Sequence, residues 1–283
     1  MAPFPSFTKT WHTTSYPSIS ATNPALSSAG KNIIITGAGS GIGARTTRSF
    51  AEAGASHIAI LGRREVNLNS VKAALESDFP AVTITAYPVD ITDKKAVDIV
   101  FSDFTVKAGK IDVLVSNAGY GALDPLIKDV DTNSWLAALD VNIKGPLFVA
   151  TAFLRSCKED AVVVNVSSGF SFLLGPQVSA YAVSKAAAVR FFDILGMENP
   201  KLRVVNVHPG VVETEMTERS GMPTQDDASL PADFILWLSG PHADFLKGRY
   251  VFSNWDVDEM KERRQEVLQG DLLKVWLLGL PLE

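Results

Sequence analysis

The apolar run NIIIT (residues 32–36) passes directly into a glycine-rich turn, TGAGSGIG (36–43), and then into a stretch of helical character, GARTTRSFAEAGA (43–55). Glycines at 37, 41 and 43 let such a turn adopt positive φ and leave its amides uncovered, while the following helix offers its positive N-terminal end. A strand delivered into a tight turn and then a helix is half of a βαβ unit, and the rest of the chain repeats the rhythm. Further strand candidates are HIAIL (57–61), VTITAYPV (82–89), IDVLVSNA (111–118), AVVVNVSS (161–168), RVVNVHP (203–209) and RYVFS (249–253). Most are continuously apolar rather than alternating, as parallel strands covered on both faces require. Segments long enough for crossover helices, such as REVNLNSVKAALESDF (64–79), lie between them. The expected fold class is α/β: a single doubly wound, Rossmann-type domain with a central parallel sheet of about seven strands flanked by helices.

A chain of 283 residues, 46% hydrophobic and 20% charged, can bury such a sheet in one domain. A net charge of −5 and a pI of about 5.5, with no run of Lys and Arg, argue against nucleic acid or an anionic membrane as partner. No stretch is expected to reach the length of a transmembrane span. Residues 1–30, rich in Ser, Thr and Pro and without an apolar core, read as an extended arm rather than a signal peptide. Trp11 and Tyr16 are the side chains that would wrap it on the domain, which is expected to occupy residues 31–283. The single Cys157, set in ATAFLRSC, has no disulfide partner and reads as an inert thiol, which fits a reducing, cytoplasmic compartment. No metal site is expected.

Ligands of doubly wound sheets bind at the carboxyl ends of the strands. The glycine turn lacks the Gly-Lys-Ser/Thr ending of a kinase-type P-loop, and its position between strand and helix suits a dinucleotide pyrophosphate, with Gly37, Ser40, Gly41, Ile42 and Gly43 as contacts. The second strand ends in LGRRE (61–65), with Gly62 where an acid would accept the ribose hydroxyls of NAD(H), followed by Arg63 and Arg64. This favours NADP(H) over NAD(H), with Arg63 as the phosphate contact, although two arginines also suit the opening of a solvated helix. Asp90, in PVDIT (88–92), meets either the adenine edge or the amides of a helix start.

YAVSK (181–185) places Tyr181 four positions before Lys185. On a helix the two share a face; alone, they read equally as an ordinary exposed pair. In company they carry more. TGAGSGIG, SNAG (116–119), LDVNIKG (139–145), VNVSS (164–168), YAVSK and HPG (208–210) occur in an order and spacing that resembles the short-chain dehydrogenases/reductases. The resemblance runs from about Lys31 to about Thr214, and the whole, with its N-terminal arm, is similar to reductases of filamentous fungi.

The resemblance implies a tetrad: Tyr181 as general acid/base, Lys185 tuning it, Ser168 holding the substrate carbonyl, and Asn142 anchoring a proton-relay water. It further implies that Asn117 and Gly119 close the fourth strand beside the cofactor, and that Val212 and Thr214, in PGVVET (209–214), meet the nicotinamide carboxamide. A cation about 5 Å from a phenol, at an effective dielectric near 20, favours phenolate by roughly 3 kcal/mol, so Lys185 is expected to bring Tyr181 from about 10 toward 8. The expected activity is NADP(H)-dependent reduction of a ketone, or oxidation of the corresponding alcohol; a non-redox cofactor-binding sensor on the same fold is the alternative. SNAG in place of the commoner NNAG, Ser40 where many NADP-using relatives carry a basic residue, and a segment (189–203) about two residues shorter than typical depart from the family pattern.

Substrate choice is expected in segments that differ from the shared core: Tyr120, GFSFLLG (169–175) and a lid at about 215–238. Phe170, Phe172, Met216 and Met222 suit either an apolar, aromatic or polyketide-like substrate or ordinary core and interface. The tail DLLKVWLLGLPLE (271–283) is apolar enough to pack on a neighbour, and the resemblance implies a homodimer or homotetramer.

Overall fold

The computed structural model describes residues 6–121 and 124–276. Seven strands, β1 (Asn32–Thr36), β2 (His57–Gly62), β3 (Thr83–Pro88), β4 (Ile111–Ser116), β5 (Cys157–Val166), β6 (Arg203–His208) and β7 (Tyr250–Phe252), form one sheet in the order β3-β2-β1-β4-β5-β6-β7. Every pairing is parallel. The order reverses between β1 and β4, which opens a crevice at their carboxyl ends.

Continuous apolar strands arise because helices cover both faces. Ile33 and Ile35 point into a layer built by α1 (Gly41–Glu52), α2 (Glu65–Asp78) and a late helix, with Phe50, Leu68, Phe234 and Trp237 in the same cluster. Ile34 points the other way, into a cluster with Phe101, Phe104, Phe153 and Phe192. These come from α3 (Lys94–Ala108), α5 (Gly145–Ser156) and α6 (Ser179–Glu198). Local chemistry sets the helix ends: the Asp93 carboxylate accepts the Ala96 amide at the start of α3, and Gly109, at φ 88°, ends it.

Between α4 (Thr132–Leu139) and α5 the helix continues through a π-helical turn, Asp140–Lys144. The continuous helix Thr132–Ser156 spans 25 residues and is apolar enough to cross a membrane, which corrects the expectation that no stretch has that length. Here its Val149, Ala150, Ala152 and Phe153 side chains are buried in the sheet-facing core.

The fifth strand starts earlier and ends sooner than the apolar run suggested. Polar Lys158, Glu159 and Asp160 join it, Ile111 pairing with Cys157 ahead of a register irregularity, while Ser167 and Ser168 have left it. The proposed lid also divides. Residues 215–220 form α7 (Glu215–Ser220), but α8 (Ser229–Ser239) is buried from Leu230 to Ser239 and packs on α1. That half of the segment is core.

The described part of the arm lies on the domain. Trp11 forms an antiparallel bridge with Trp255, and the Tyr16 hydroxyl donates to Trp255 O and accepts from Val257 N. Residues 1–5 of the arm and 277–283 of the apolar tail lie outside the described residues.

Gly43 shows how tightly α1 sits on the sheet. A Cβ there would lie 2.4 Å from Gly37 O and 2.6 Å from Asn117 Nδ2, and neither the backbone nor the anchored amide can withdraw. Gly43→Ala is expected to destabilise the fold by about 1–3 kcal/mol, read as a lower denaturant midpoint at unchanged m-value.

Candidate active site

The crevice between the ends of β1 and β4 is a cleft of about 380 Å³. Its floor is the glycine turn, with Gly37 at φ 67° and Gly41 at φ 53°. Thr36 Oγ1 accepts the amides of Asn117 and Ala118, and Asn117 Nδ2 donates to Thr36 O at 2.9 Å and Gly37 O at 3.3 Å. Asn117 therefore fastens the turn to the end of β4. A Cβ on Gly37 would come within 2.8 Å of Ala118 Cα, so the approach itself demands glycine.

Of the residues expected at the cofactor, Gly37, Ser40, Gly41, Ile42, Arg63, Asp90, Asn117, Gly119, Tyr181, Lys185 and Thr214 line the cleft. Gly43 lies behind the turn. Val212 is buried, its carbonyl accepting from Thr217 Oγ1, and the cleft wall is taken instead by Thr214, which caps α7. The Asp90 carboxylate accepts from Thr92 N and Oγ1, both at 2.8 Å, while Asp93 caps α3. Burial pushes Asp90 up, but the Thr92 bonds, Arg63 and Lys144 outweigh it and hold the carboxyl below its ordinary value.

The two arginines differ. Arg64 reaches Glu215 at 2.6 Å and Ser40 Oγ at 3.2 Å, tying the end of β2 to α7 and the glycine turn. Both line the cleft, but Arg63 has no ion pair among the described residues. The Arg64–Glu215 contact escapes sequence reading because its partners are 151 residues apart.

At the other end the tetrad residues converge. Tyr181 and Lys185 share one face of α6, with Lys185 Nζ 5.7 Å from the Tyr181 ring centre. Lys185 is 6% exposed, and Nζ donates to Val166 O at 2.8 Å. Ser168 lies near Tyr181, where its hydroxyl favours the phenolate, and its Oγ accepts Phe170 N at 3.3 Å. Asn142 sits in the π-helical turn, a distortion that turns its side chain inward. Its Oδ1 accepts Tyr120 N at 2.8 Å, and its Nδ2 donates to Tyr120 O at 2.7 Å and Ser184 Oγ at 2.9 Å. Asn142 thus braces the loop after β4 against α6. Apolar groups surround the phenol: Phe170 is edge-on at 6.5 Å, and a Cβ on Gly121 would lie 2.7 Å from the Tyr181 ring and 3.2 Å from Met216 Sδ.

The expectation that Lys185 draws the Tyr181 phenol down toward 8 is corrected. Burial pushes Tyr181 above its ordinary value, with the Ser168 hydrogen bond opposing. The same burial pushes Lys185 down to about 8. An enclosed site disfavours both charged forms, a cost the Coulomb argument left out.

The cleft suits a nicotinamide dinucleotide. A lysine ammonium has three donors, and Lys185 has one acceptor among the described residues, which leaves two for ribose hydroxyls and water. Gly37, Gly39 and Gly41 line the cleft without side chains, leaving the backbone of the turn open where a pyrophosphate would lie. Among the described residues no group of three or more His, Cys, Asp or Glu side chains is placed to hold a metal ion.

Comparison with known proteins agrees. The short chain dehydrogenase family model matches residues 31–224. A short chain dehydrogenase/reductase of Claviceps purpurea (strain 20.1) is 36% identical over 270 residues, covering 90% of this chain and 89% of its own. The short chain dehydrogenase citE of Monascus ruber is 32% identical over 289 residues, covering 97% and 98%. Among solved structures, a 7 alpha-hydroxysteroid dehydrogenase complexed with NADH and 7-oxo glycochenodeoxycholic acid superposes with a TM-score of 0.75 at 24% identity, over 82% of this chain and 95% of that one. The chain belongs to the short-chain dehydrogenase/reductase family, whose members are oxidoreductases that bind a nicotinamide cofactor.

Burial of Lys185 makes the site a source of instability. Its folded-state value of about 8 lies below the unfolded value near 10.4, so the unfolded chain binds more protons between those limits and stability rises with pH across them. Below pH 8 the penalty is present in full, on the order of 3 kcal/mol. Lys185→Met is expected to raise the unfolding temperature of the ligand-free protein at pH 7, with the difference from wild type shrinking by about pH 10.

Proposed function

We propose that this family member is an NADP(H)-dependent oxidoreductase that reduces a ketone of an apolar small molecule, or oxidises the corresponding secondary alcohol, with Tyr181 as general acid/base. The observation that carries the proposal is a cleft with Tyr181 and Lys185 at one end, Ser168 beside the phenol, and at the other end Arg63, which has no ion pair among the described residues.

Bound NADPH supplies the hydride, and its oxidised form takes it back in the reverse direction. The chain supplies orientation and the proton. Ser168 and Tyr181 donate hydrogen bonds to the substrate oxygen from neighbouring hydroxyls. Tyr181 is raised by burial and so holds its proton at neutral pH, ready to pass it to the developing alkoxide. Lys185 returns a proton to Tyr181 through the donors that Val166 O leaves unused. A group titrating at about 8 exchanges protons readily near neutrality. Asn142 keeps Gly119, Tyr120 and Gly121 in place beside both groups. In the alcohol-to-ketone direction the same groups act in reverse.

The preference for NADP(H) rests on Arg63 and on the absence of a carboxylate at Gly62. Arg63 would meet the ribose phosphate, while Arg64 stays with Glu215. An apolar and aromatic substrate is supported by Phe170 and Met216 against Tyr181 and by the exposed Phe172 and Leu174 nearby. Assembly as a homodimer or homotetramer is supported by exposed Leu136, Leu147, Val183 and Ile194 on α4, α5 and α6. A cytoplasmic setting is supported by the lone, unpaired Cys157.

The test is NADPH consumption across hydrophobic ketones and quinones. Tyr181→Phe should lower kcat by about two orders of magnitude or more while leaving NADPH affinity within about twofold; an unaltered rate would overturn the mechanism. Arg63→Ala should weaken NADPH binding by roughly ten- to a hundredfold, and NADH binding little, because it removes one charge-assisted contact. Equal losses for the two cofactors would overturn the NADP(H) preference.

A further inference from the structure

Beneath Ser168 lies a buried polar cluster that the mechanism above does not use. After β5 ends, Ser167 N still bonds to Val207 O at 2.7 Å, and the chain then turns through a short 3-10 helix, Gly169–Ser171. The peptide joining Ser168 to Gly169 stands at that corner. Its carbonyl accepts the Tyr250 hydroxyl at 2.7 Å. Its N–H donates to His208 Nδ1 at 3.0 Å. Both partners are interior, Tyr250 at 5% and His208 at 6% exposure, and both project from the sheet, from β7 and β6.

A peptide plane gripped at its oxygen and its N–H cannot rotate about its flanking bonds. That rotation is Ser168 ψ, held at 149°, and it governs the direction in which the Ser168 hydroxyl points. We infer that Tyr250 and His208 are positioning residues that clamp the peptide after Ser168 and so aim its hydroxyl at Tyr181 and at the substrate oxygen. The inference rests on the pairing of Ser168 with Tyr181 proposed above.

The clamp is suited to constant service across pH. Burial pushes His208 down to about 4, so its Nδ1 stays an acceptor throughout the neutral range. Burial likewise drives the Tyr250 hydroxyl far above its ordinary value, although Ser171 and Ser167 oppose this, so it stays a donor. The Tyr250 ring is wedged edge-on to Phe172 at 5.2 Å and to Phe252 at 6.1 Å, which fixes the hydroxyl in place.

Tyr250→Phe deletes only the hydroxyl and keeps that ring packing. Among the described residues, Lys185 on its own helix lies over the Tyr181 ring, and Tyr250 of the sheet is coupled to its charge. Burial holds the Tyr250 hydroxyl protonated across the neutral range, so its loss there removes a hydrogen bond and not a charge.

The experiment is a phenolate absorbance titration of the cofactor-free protein, with the Tyr181 component taken as the difference from Tyr181→Phe, alongside kcat and NADPH affinity. In Tyr250→Phe the Tyr181 component should move up by roughly half to one pH unit, because the opposing Ser168 bond is loosened. The kcat should fall about tenfold, with NADPH affinity within about twofold. Ser168→Ala should give the same titration shift, and adding Tyr250→Phe to it should give no more. An unmoved titration in Tyr250→Phe, or a further shift of equal size in the double variant, overturns the inference. If Tyr250→Phe does not fold, His208→Ala and His208→Asn replace it: the alanine variant should shift the titration and the asparagine variant, which keeps an acceptor for the Gly169 N–H, should not. Equal behaviour of the two overturns the inference. The titration needs no substrate, so it reports on the clamp even in a protein that turns over none of the carbonyls offered.

Discussion

The site depends first on the seam between β1 and β4. Where strand order reverses, the chain after each strand loses its ladder partner, and the exposed amides and carbonyls need others. Thr36 and Asn117 supply them: one hydroxyl takes two amides, and one side-chain amide takes two carbonyls. The glycine turn is thereby held against the end of β4 at a distance only glycine allows. With it are fixed the start of α1, the floor of the cleft and the loop that carries Gly119 to Gly121. Asn142 continues the same logic one layer further, bonding both polar groups of Tyr120 and joining them to α6 through Ser184.

Rigid placement comes with dryness, and dryness opposes charge. Lys185 and Tyr181 are both shifted toward their neutral forms, so a charge on either comes at a cost in stability. The surrounding core bears that cost. The phenylalanines of α3, α5 and α6 seal one side of the sheet, and Phe234 and Trp237 of α8 the other. Such a trade is common where function needs a buried ionisable group.

Local features were legible in the sequence and distant ones were not. The strands announced themselves as unbroken apolar runs because both faces are covered, and the glycine turn because no other residue tolerates its φ values and close approaches. Tyr181 and Lys185 stand a helical turn apart, so their meeting follows from spacing alone. The π-helical turn at Asn142 leaves no compositional trace. Residues 229–238 fall within the segment expected as a lid because it follows the nicotinamide loop, yet a helix apolar on all sides belongs in a core. Tyr250 is 82 residues from the carbonyl it holds, and only the pairing of β7 with β6 brings it there. The sign of the Tyr181 shift was missed for a related reason. The neighbouring charge could be counted from sequence, but the enclosure could not.

The arm also ties the loop after α7 to the fold. His12 N donates to Asn254 O, and Asn254 Nδ2 donates to His12 O and to Asp226 Oδ1. The other oxygen of Asp226 accepts Val211 N, just past the Pro209-Gly210 turn that leads to Thr214. One residue later, Asp227 N bonds to Thr13 O. The segment from α7 to Asp226 is therefore pinned at both ends, by Arg64 on Glu215 at the front and by the arm at the back. Between those anchors the chain is held again at Gln225, whose N–H bonds to Val211 O. A peripheral extension of the domain thus holds the back of a segment whose front borders the cleft.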